Sequence, residues 1–334
     1  MTVLVTGGGG FLGLYVVEQL RARGDEVRVF CRHRHERLEE LGVDWHQGDV
    51  RDAEAVTAAC EGIETVIHCA ALPGIWGPWQ RYYQVNTVGT QHVIDGGRRT
   101  GVRRLVHTSS PSVVFDGTDH DNADETLPYP DRFECHYARS KAVAEREVLA
   151  ANGLDGLATV VLRPHLIWGP RDNHLVPRLI NRARRGRLRQ VGDGTNHVSM
   201  SYVENAAAAL VQAGDLLEPD APHAGRAYFI NEPDPVNLWE WINRLLETAG
   251  LPPVTRQVSA GTARRVGAVL EAAWWLFRLP GEPPMTRFLA DQLSRTHCYS
   301  ISRAEADFGY RKIVPADEGL RRLEPELKRL AGDD

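Results

Sequence analysis

The chain has 334 residues, 43% hydrophobic and 25% charged, which is a globular composition long enough for one large domain or two fused ones. Thirty-nine basic against 44 acidic residues give a formal charge of −5, which argues against a phosphate backbone as the main partner. The high apolar content and the lack of a fixed-period repeat set aside disorder and fibrous architectures.

In chain order, 3–6 reads as an apolar strand and 11–23 as a helix, with Phe11, Leu12, Val16 and Leu20 at helical spacing. Strands follow at 27–31, 65–68 and 105–108, with helical stretches at 53–60 and 85–99 between them. A helical pattern over 136–151 leads into another strand at 159–163. This alternation predicts an α/β fold, a doubly wound parallel sheet covered by helices on both faces. Continuous apolar strands fit burial on both sides.

After Pro164, prolines and glycines multiply and the alternation loosens. Helical segments near 175–187, 203–217, 238–249 and 264–277 predict a smaller, mostly helical lobe, and 227–231 is expected to return to the sheet. The expected division is a nucleotide-binding part over 1–165, rejoined by segments near 198–231, and a substrate lobe over 166–197 and 232–334. Two lobes imply a cleft at the carboxyl ends of the strands.

Five scattered cysteines without a Cys-x-x-Cys pair suggest a reducing compartment. With no basic leader before the first glycines, cytoplasmic residence is expected. The longest apolar stretch, 266–277, is broken by Glu271 and is too short for a bilayer span. His33-Arg34-His35 reads as a solvated loop more readily than as a metal site, and no metal is expected.

Thr6-Gly7-Gly8-Gly9-Gly10-Phe11-Leu12-Gly13 joins the first strand to the first helix. Glycines there let the backbone approach a pyrophosphate, whose charge meets the free N–H groups of the helix start. Two registers fit, Gly8-x-Gly10-x-x-Gly13 and Gly7-x-x-Gly10-x-x-Gly13. NAD binders usually end the second strand with an acid for the ribose hydroxyl, but Arg32 and Arg34 stand here. A guanidinium pairs with a 2′-phosphate, which favours NADP(H) and leaves NAD(H) second. Asp49, after the next strand, is placed to contact adenine or to serve as a turn residue.

Tyr137 and Lys141 stand four apart near the start of a helix, on one face. A nearby cation is expected to lower the phenol pKa toward working pH. Thr108-Ser109-Ser110 closes a sheet strand. Together with the glycine loop, these residues resemble the extended short-chain dehydrogenase/reductase superfamily over the whole chain. The landmarks are TGGGGFLG at 6–13, CAA at 69–71, Asn86, HTSS at 107–110, YARSK at 137–141 and LRPHLIWGP at 162–170. TSSPSVVFDG, PHLIWGPRDNHLVPRL and the apolar C-terminal segment are similar to its 3β-hydroxysteroid dehydrogenase-like branch.

The resemblance implies a Rossmann-type sheet and a role for each matching residue. Tyr137 is then the general acid, Lys141 bonds the nicotinamide ribose, and Ser110 (beside Ser109) holds the carbonyl oxygen. The cofactor is expected against Gly7, Gly10, Phe11, Leu12, Gly13, Arg32, Asp49 and Val50, with Ala70 and Ala71 after the fourth strand and Pro164 facing the nicotinamide. The implied activity is NADPH-dependent reduction of the 3-keto group of a 2-alkyl-3-oxoalkanoic acid, in lipid metabolism of the olefin-biosynthesis kind. NAD-dependent 3β-hydroxysteroid or sterol dehydrogenation and nucleotide-sugar epimerisation are the alternatives. A non-enzymatic cofactor-binding scaffold is a fourth reading, disfavoured because tyrosine and lysine are both present. A homodimer through the helices bearing Tyr137 and Asn86 is also implied.

Three further features bear on substrate and partners. Val266, Val269, Leu270, Ala273, Trp274 and Phe277 form an apolar helix face suited to alkyl chains, to a membrane surface or partner enzyme, or to lobe packing. The loop 73–79, Pro-Gly-Ile-Trp-Gly-Pro-Trp, is expected over the cleft with its two tryptophans toward substrate. Seven arginines between 171 and 189 suit a carboxylate or a solvated helix face.

Overall fold

The computed structural model describes residues 1–332. Seven parallel strands form the central sheet: β1 (Thr2–Thr6), β2 (Glu26–Cys31), β3 (Asp44–Gln47), β4 (Thr65–His68), β5 (Arg104–Thr108), β6 (Ala158–Pro164) and β7 (Arg226–Ile230). Their order is β7-β6-β5-β4-β1-β2-β3, a Rossmann-type arrangement whose switch point lies between β1 and β4. The last strand, expected at 227–231, pairs Ala227 with Val161 and Ile230 with Pro164.

Helices cover both faces because alternate strand residues point to opposite sides. Val3 and Val5 join the core formed with α1 (Phe11–Ala22) and α6 (Val203–Asp215). Leu4 joins the opposite core with α2 (Ala53–Cys60), α3 (Gly89–Thr100) and α4 (His136–Ala150). The helix containing α3 begins earlier than its expected start at 85. A first turn, Trp79–Tyr82, runs through a wide π segment, Tyr83–Val88, into α3. Such a segment shifts the side-chain register, here at Asn86.

A second core lies in the lobe, where Trp168, Val176, Leu245, Leu323 and Leu327 pack together. Its helices are α5 (Leu175–Arg184), α7 (Leu238–Thr248), α8 (Ala260–Phe277), α9 (Arg287–Ser294) and α11 (Ala316–Gly332). The short α10 (Ser302–Phe308) returns to the first core through Ala304 and Phe308. No described helix is long and apolar enough to cross a membrane.

Only part of the expected apolar face of α8 packs. Ala263 and Gly267 are buried and Leu270, Ala273 and Trp274 half-buried, while Val266, Val269 and Phe277 of that face are 46%, 68% and 69% exposed. The cause is close approach: a Cβ on Gly267 would stand 2.6 Å from the Thr286 carbonyl carbon, so the small residues turn toward α9.

Candidate active site

The carboxyl ends of β1, β2 and β4 open onto a cleft of about 400 Å³. Gly7, Gly10, Arg32, Asp49, Val50, Ala70 and Ala71 all line it. Gly7 has φ +71°, and a Cβ there would lie 2.8 Å from the Ala70 backbone. A Cβ on Gly13 would collide with the Gly7 carbonyl, so α1 can rest on the loop only through glycine. A Cβ on Gly8 would meet the Val29 side chain at 2.7 Å, so both registers are crowded; Gly7, with its positive φ and backbone contacts, is the one that lines the cleft. Gly10 is the N-cap of α1 without a side-chain cap, and no acid stands in the first turn. Phe11, Leu12 and Gly13 do not line the cleft with side chains; they form the uncapped first turn whose N–H groups suit a pyrophosphate. This cradle fits a dinucleotide.

The two arginines after β2 differ. Arg34 pairs with Glu39 at 2.7 Å, whereas Arg32 lines the cleft and enters no ion pair with a described residue. Asp49 accepts from Arg51 at 3.0 and 2.8 Å, and this pairing holds its carboxyl below the usual range. Asn173, from the segment after Gly169-Pro170, closes the far edge of the cleft. It lies within the PHLIWGPRDNHLVPRL motif, but nothing in the sequence assigned it a role.

Tyr137 and Lys141 both emerge from α4, but the lysine is not aimed at the phenol. Lys141 Nζ donates to the Thr108 carbonyl at 2.6 Å and to His107 Nε2 at 3.0 Å. Burial pushes Lys141 down to about 8. Burial likewise drives the Tyr137 phenol up to about 12, and Ser110 pulls it back through a hydrogen bond. The expected lowering of Tyr137 by Lys141 is therefore absent in the cofactor-free protein, where desolvation dominates.

Ser110 Oγ accepts from Ser112 N at 3.2 Å and Ser112 Oγ at 3.0 Å, which leaves its single proton for the hydrogen bond to the Tyr137 phenol. Ser109, the neighbour, has a buried hydroxyl without a partner. His107 is a residue sequence reasoning missed. Burial and the adjacent lysine hold it neutral, so Nε2 accepts from Lys141 and Nδ1 carries the proton, without a partner. Only its position, directly before Thr108, hinted at this.

Asn86 ties the loop at Leu72 to α4. Its Oδ1 accepts from Leu72 N at 2.7 Å, and its Nδ2 donates to Leu72 O and to Ser140 Oγ. Ser140 Oγ in turn donates to the Tyr137 carbonyl at 2.8 Å. From the loop 73–79 it is Ile75 that packs against the same cluster as Tyr137, formed by Phe115, Cys135, Ala138 and Phe288. Trp79 instead stacks under the Arg139 guanidinium at 4.4 Å, and the Trp76 carbonyl accepts from Tyr82. Pro164 ends β6 and does not line the dinucleotide cleft; His165 after it shares a hydrogen bond with His297 at 2.7 Å.

A phenol that stays protonated, a serine hydroxyl bonded to it and a buried lysine beside a dinucleotide cradle can transfer a proton to a carbonyl oxygen and stabilise the charge formed. Comparison with known proteins agrees with this chemistry. Residues 4–258 match the 3-beta hydroxysteroid dehydrogenase/isomerase family. The chain is 49% identical over 326 residues to a Stenotrophomonas maltophilia protein named 2-alkyl-3-oxoalkanoate reductase, covering 97% of this chain and 98% of that one. It is 36% identical to a Mycobacterium tuberculosis 3 beta-hydroxysteroid dehydrogenase/Delta 5-->4-isomerase, covering 97% and 89%. Among solved structures it is similar to a Thermus thermophilus UDP-glucose 4-epimerase in complex with NAD, at TM-score 0.74 and 25% identity over 98% of this chain and 99% of that one.

Proposed function

This chain belongs to the 3-beta hydroxysteroid dehydrogenase/isomerase family, and on that premise we propose that it reduces the 3-keto group of a 2-alkyl-3-oxoalkanoic acid with NADPH. It is a nicotinamide-dependent oxidoreductase of the short-chain dehydrogenase/reductase type. The substrate reading is carried by the likeness to the Stenotrophomonas relative over nearly the whole of both chains. The steroid alternative rests on more distant relatives, and the epimerase alternative on shared fold. The unpaired Arg32 in the cleft supports NADPH over NADH.

The bound dinucleotide would supply a hydride to the keto carbon. Tyr137, protonated well above neutral pH, holds its proton at the phenol oxygen and gives it to the substrate oxygen. Ser110, whose hydrogen bond already reaches the phenol, supports the phenolate left once that proton is given and would hold the same substrate oxygen. Lys141, with two N–H groups committed to Thr108 and His107, keeps one for the nicotinamide ribose. Gly7, Gly10 and the first turn of α1 take the pyrophosphate, with Asp49, Val50, Ala70 and Ala71 along the adenosine side.

Initial rates with NADPH and 2-alkyl-3-oxo acids, set against NAD with 3β-hydroxysteroids, test this reading. NADPH oxidation with the keto acids is expected; turnover of steroid alone would replace it with the alternative. The homodimer through the outer faces of α3 and α4 is supported by the family resemblance, and sedimentation at a single-chain mass would overturn it.

A further inference from the structure

The lobe contains a cavity of about 650 Å³ bounded by α5, the turn after it, α8 and the start and end of α9's neighbourhood at Met285 and Leu293. That volume is in the range of small-molecule sites. Arg178, Arg182, Arg185, Arg187 and Arg189 form one wall, and no lining residue is acidic. Arg178 meets Glu282 at 3.1 Å, and Arg182 donates to the Pro284 carbonyl at 2.9 Å. Arg185, Arg187 and Arg189 enter no ion pair with a described residue. Burial and the neighbouring Arg178 both disfavour the charge on Arg182. The opposite wall is apolar, with Val191, Val266, Leu270, Met285 and Leu293.

Helix α9 separates this cavity from the candidate catalytic group. Phe288 packs with Phe115 and Cys135 beside Tyr137, whereas Leu293, five residues on, faces the cavity. No residue lines both the cavity and the dinucleotide cleft. In a 3-oxo acid the carboxylate is only two bonds from the keto carbon, so a substrate held at Tyr137 cannot set its carboxylate on these arginines.

We propose that the cavity is a second binding site, for an amphiphile with an anionic head and a single alkyl chain. The head sits among the guanidinium groups and relieves their mutual repulsion; the chain covers the apolar wall. A chain longer than the cavity continues past Val266 onto the exposed face of α8 at Val269. The site goes beyond the reductase reading and does not depend on it.

Calorimetric titration of the full chain, saturated with NADPH, with dodecanoate tests the proposal. Acetate controls for the head alone and dodecyltrimethylammonium for the sign of charge. One dodecanoate per chain is expected, with both controls weaker by at least about tenfold. Arg187→Glu/Arg189→Glu and the cavity-filling Leu270→Trp should each weaken dodecanoate by about tenfold or more while leaving NADPH affinity unchanged. The site should remain available in Tyr137→Phe enzyme saturated with a 2-alkyl-3-oxo acid. Absence of binding, equal binding of the cationic amphiphile, or indifference to both variants would overturn the site. So would its loss when the keto acid is bound, which would make it the substrate pocket. None of these results touches the reductase reading, which is judged by turnover.

Discussion

Replacing Arg32 with alanine isolates the choice of cofactor. The residue lines the cleft at the end of β2 and enters no ion pair with a described residue, although Asp49 across the cleft feels its charge, so its guanidinium is available to a 2′-phosphate. A hydrogen bond to a charged group contributes about 1.5–3 kcal/mol net, and exposure of the Arg32 side chain places this one toward the lower end. At about 1.4 kcal/mol per factor of ten, the loss corresponds to a roughly 10- to 100-fold drop in kcat/KM for NADPH. NADH presents a hydroxyl at the same position and should change by less than about threefold. Arg34→Ala is the internal control, because that side chain is already committed to Glu39. Initial rates with each cofactor at fixed keto acid give the NADPH-to-NADH ratio directly. An unchanged ratio in Arg32→Ala, or an equal fall in Arg34→Ala, would refute the assignment.

Four other outcomes are expected. Tyr137→Phe should lower kcat by about 10²–10⁴-fold, while NADPH binding measured by fluorescence stays intact. His107→Phe removes the acceptor that holds Lys141 and should shift the pH profile of kcat; His107→Gln, which can still accept, should restore it, and equal profiles for both variants would deny the positioning role. Lys141 gives a stability test in the cofactor-free protein. Its folded value of about 8 lies below that of the unfolded chain, so between pH 8 and the ordinary lysine range the unfolded state binds more protons. Stability of wild type relative to Lys141→Met should therefore rise with pH through that window, and a flat difference in denaturant midpoints would contradict it. Gly13→Ala, which collides with the Gly7 carbonyl, should cost about 1–3 kcal/mol and weaken cofactor binding together.

The sheet was legible because its strands are short apolar runs separated by helical periods, and β4 lies at the expected residues 65–68. The candidate catalytic residues were legible because they sit in local motifs at the ends of elements. The helices expected near 175–187, 203–217, 238–249 and 264–277 are α5, α6, α7 and α8, whereas α9 and α11 were not legible. In α11, Leu323 and Leu327 are fully buried at helical spacing, but Pro325 between them reads as a break. For α8 the helix was legible and its burial only in part: Leu270 and Trp274 are half-buried, but backbone proximity at Gly267 sets how the helix packs and leaves Val269 and Phe277 exposed. The partners of Lys141 were equally hidden, since His107 and Lys141 are 34 residues apart and meet only across β5 and α4. The difference between Arg32 and Arg34 also needed the fold, because Glu39 belongs to the next turn of chain.

The most direct test follows the hydride. The enzyme is incubated with a 2-alkyl-3-oxoalkanoic acid and NADPH carrying deuterium at the transferable C4 position, and the product is examined by mass spectrometry and NMR. The account predicts a 3-hydroxy acid with one deuterium on C3, formed in step with NADPH oxidation and lost in Tyr137→Phe. Keto acid recovered without deuterium at C3, under conditions where the enzyme binds NADPH, would contradict it.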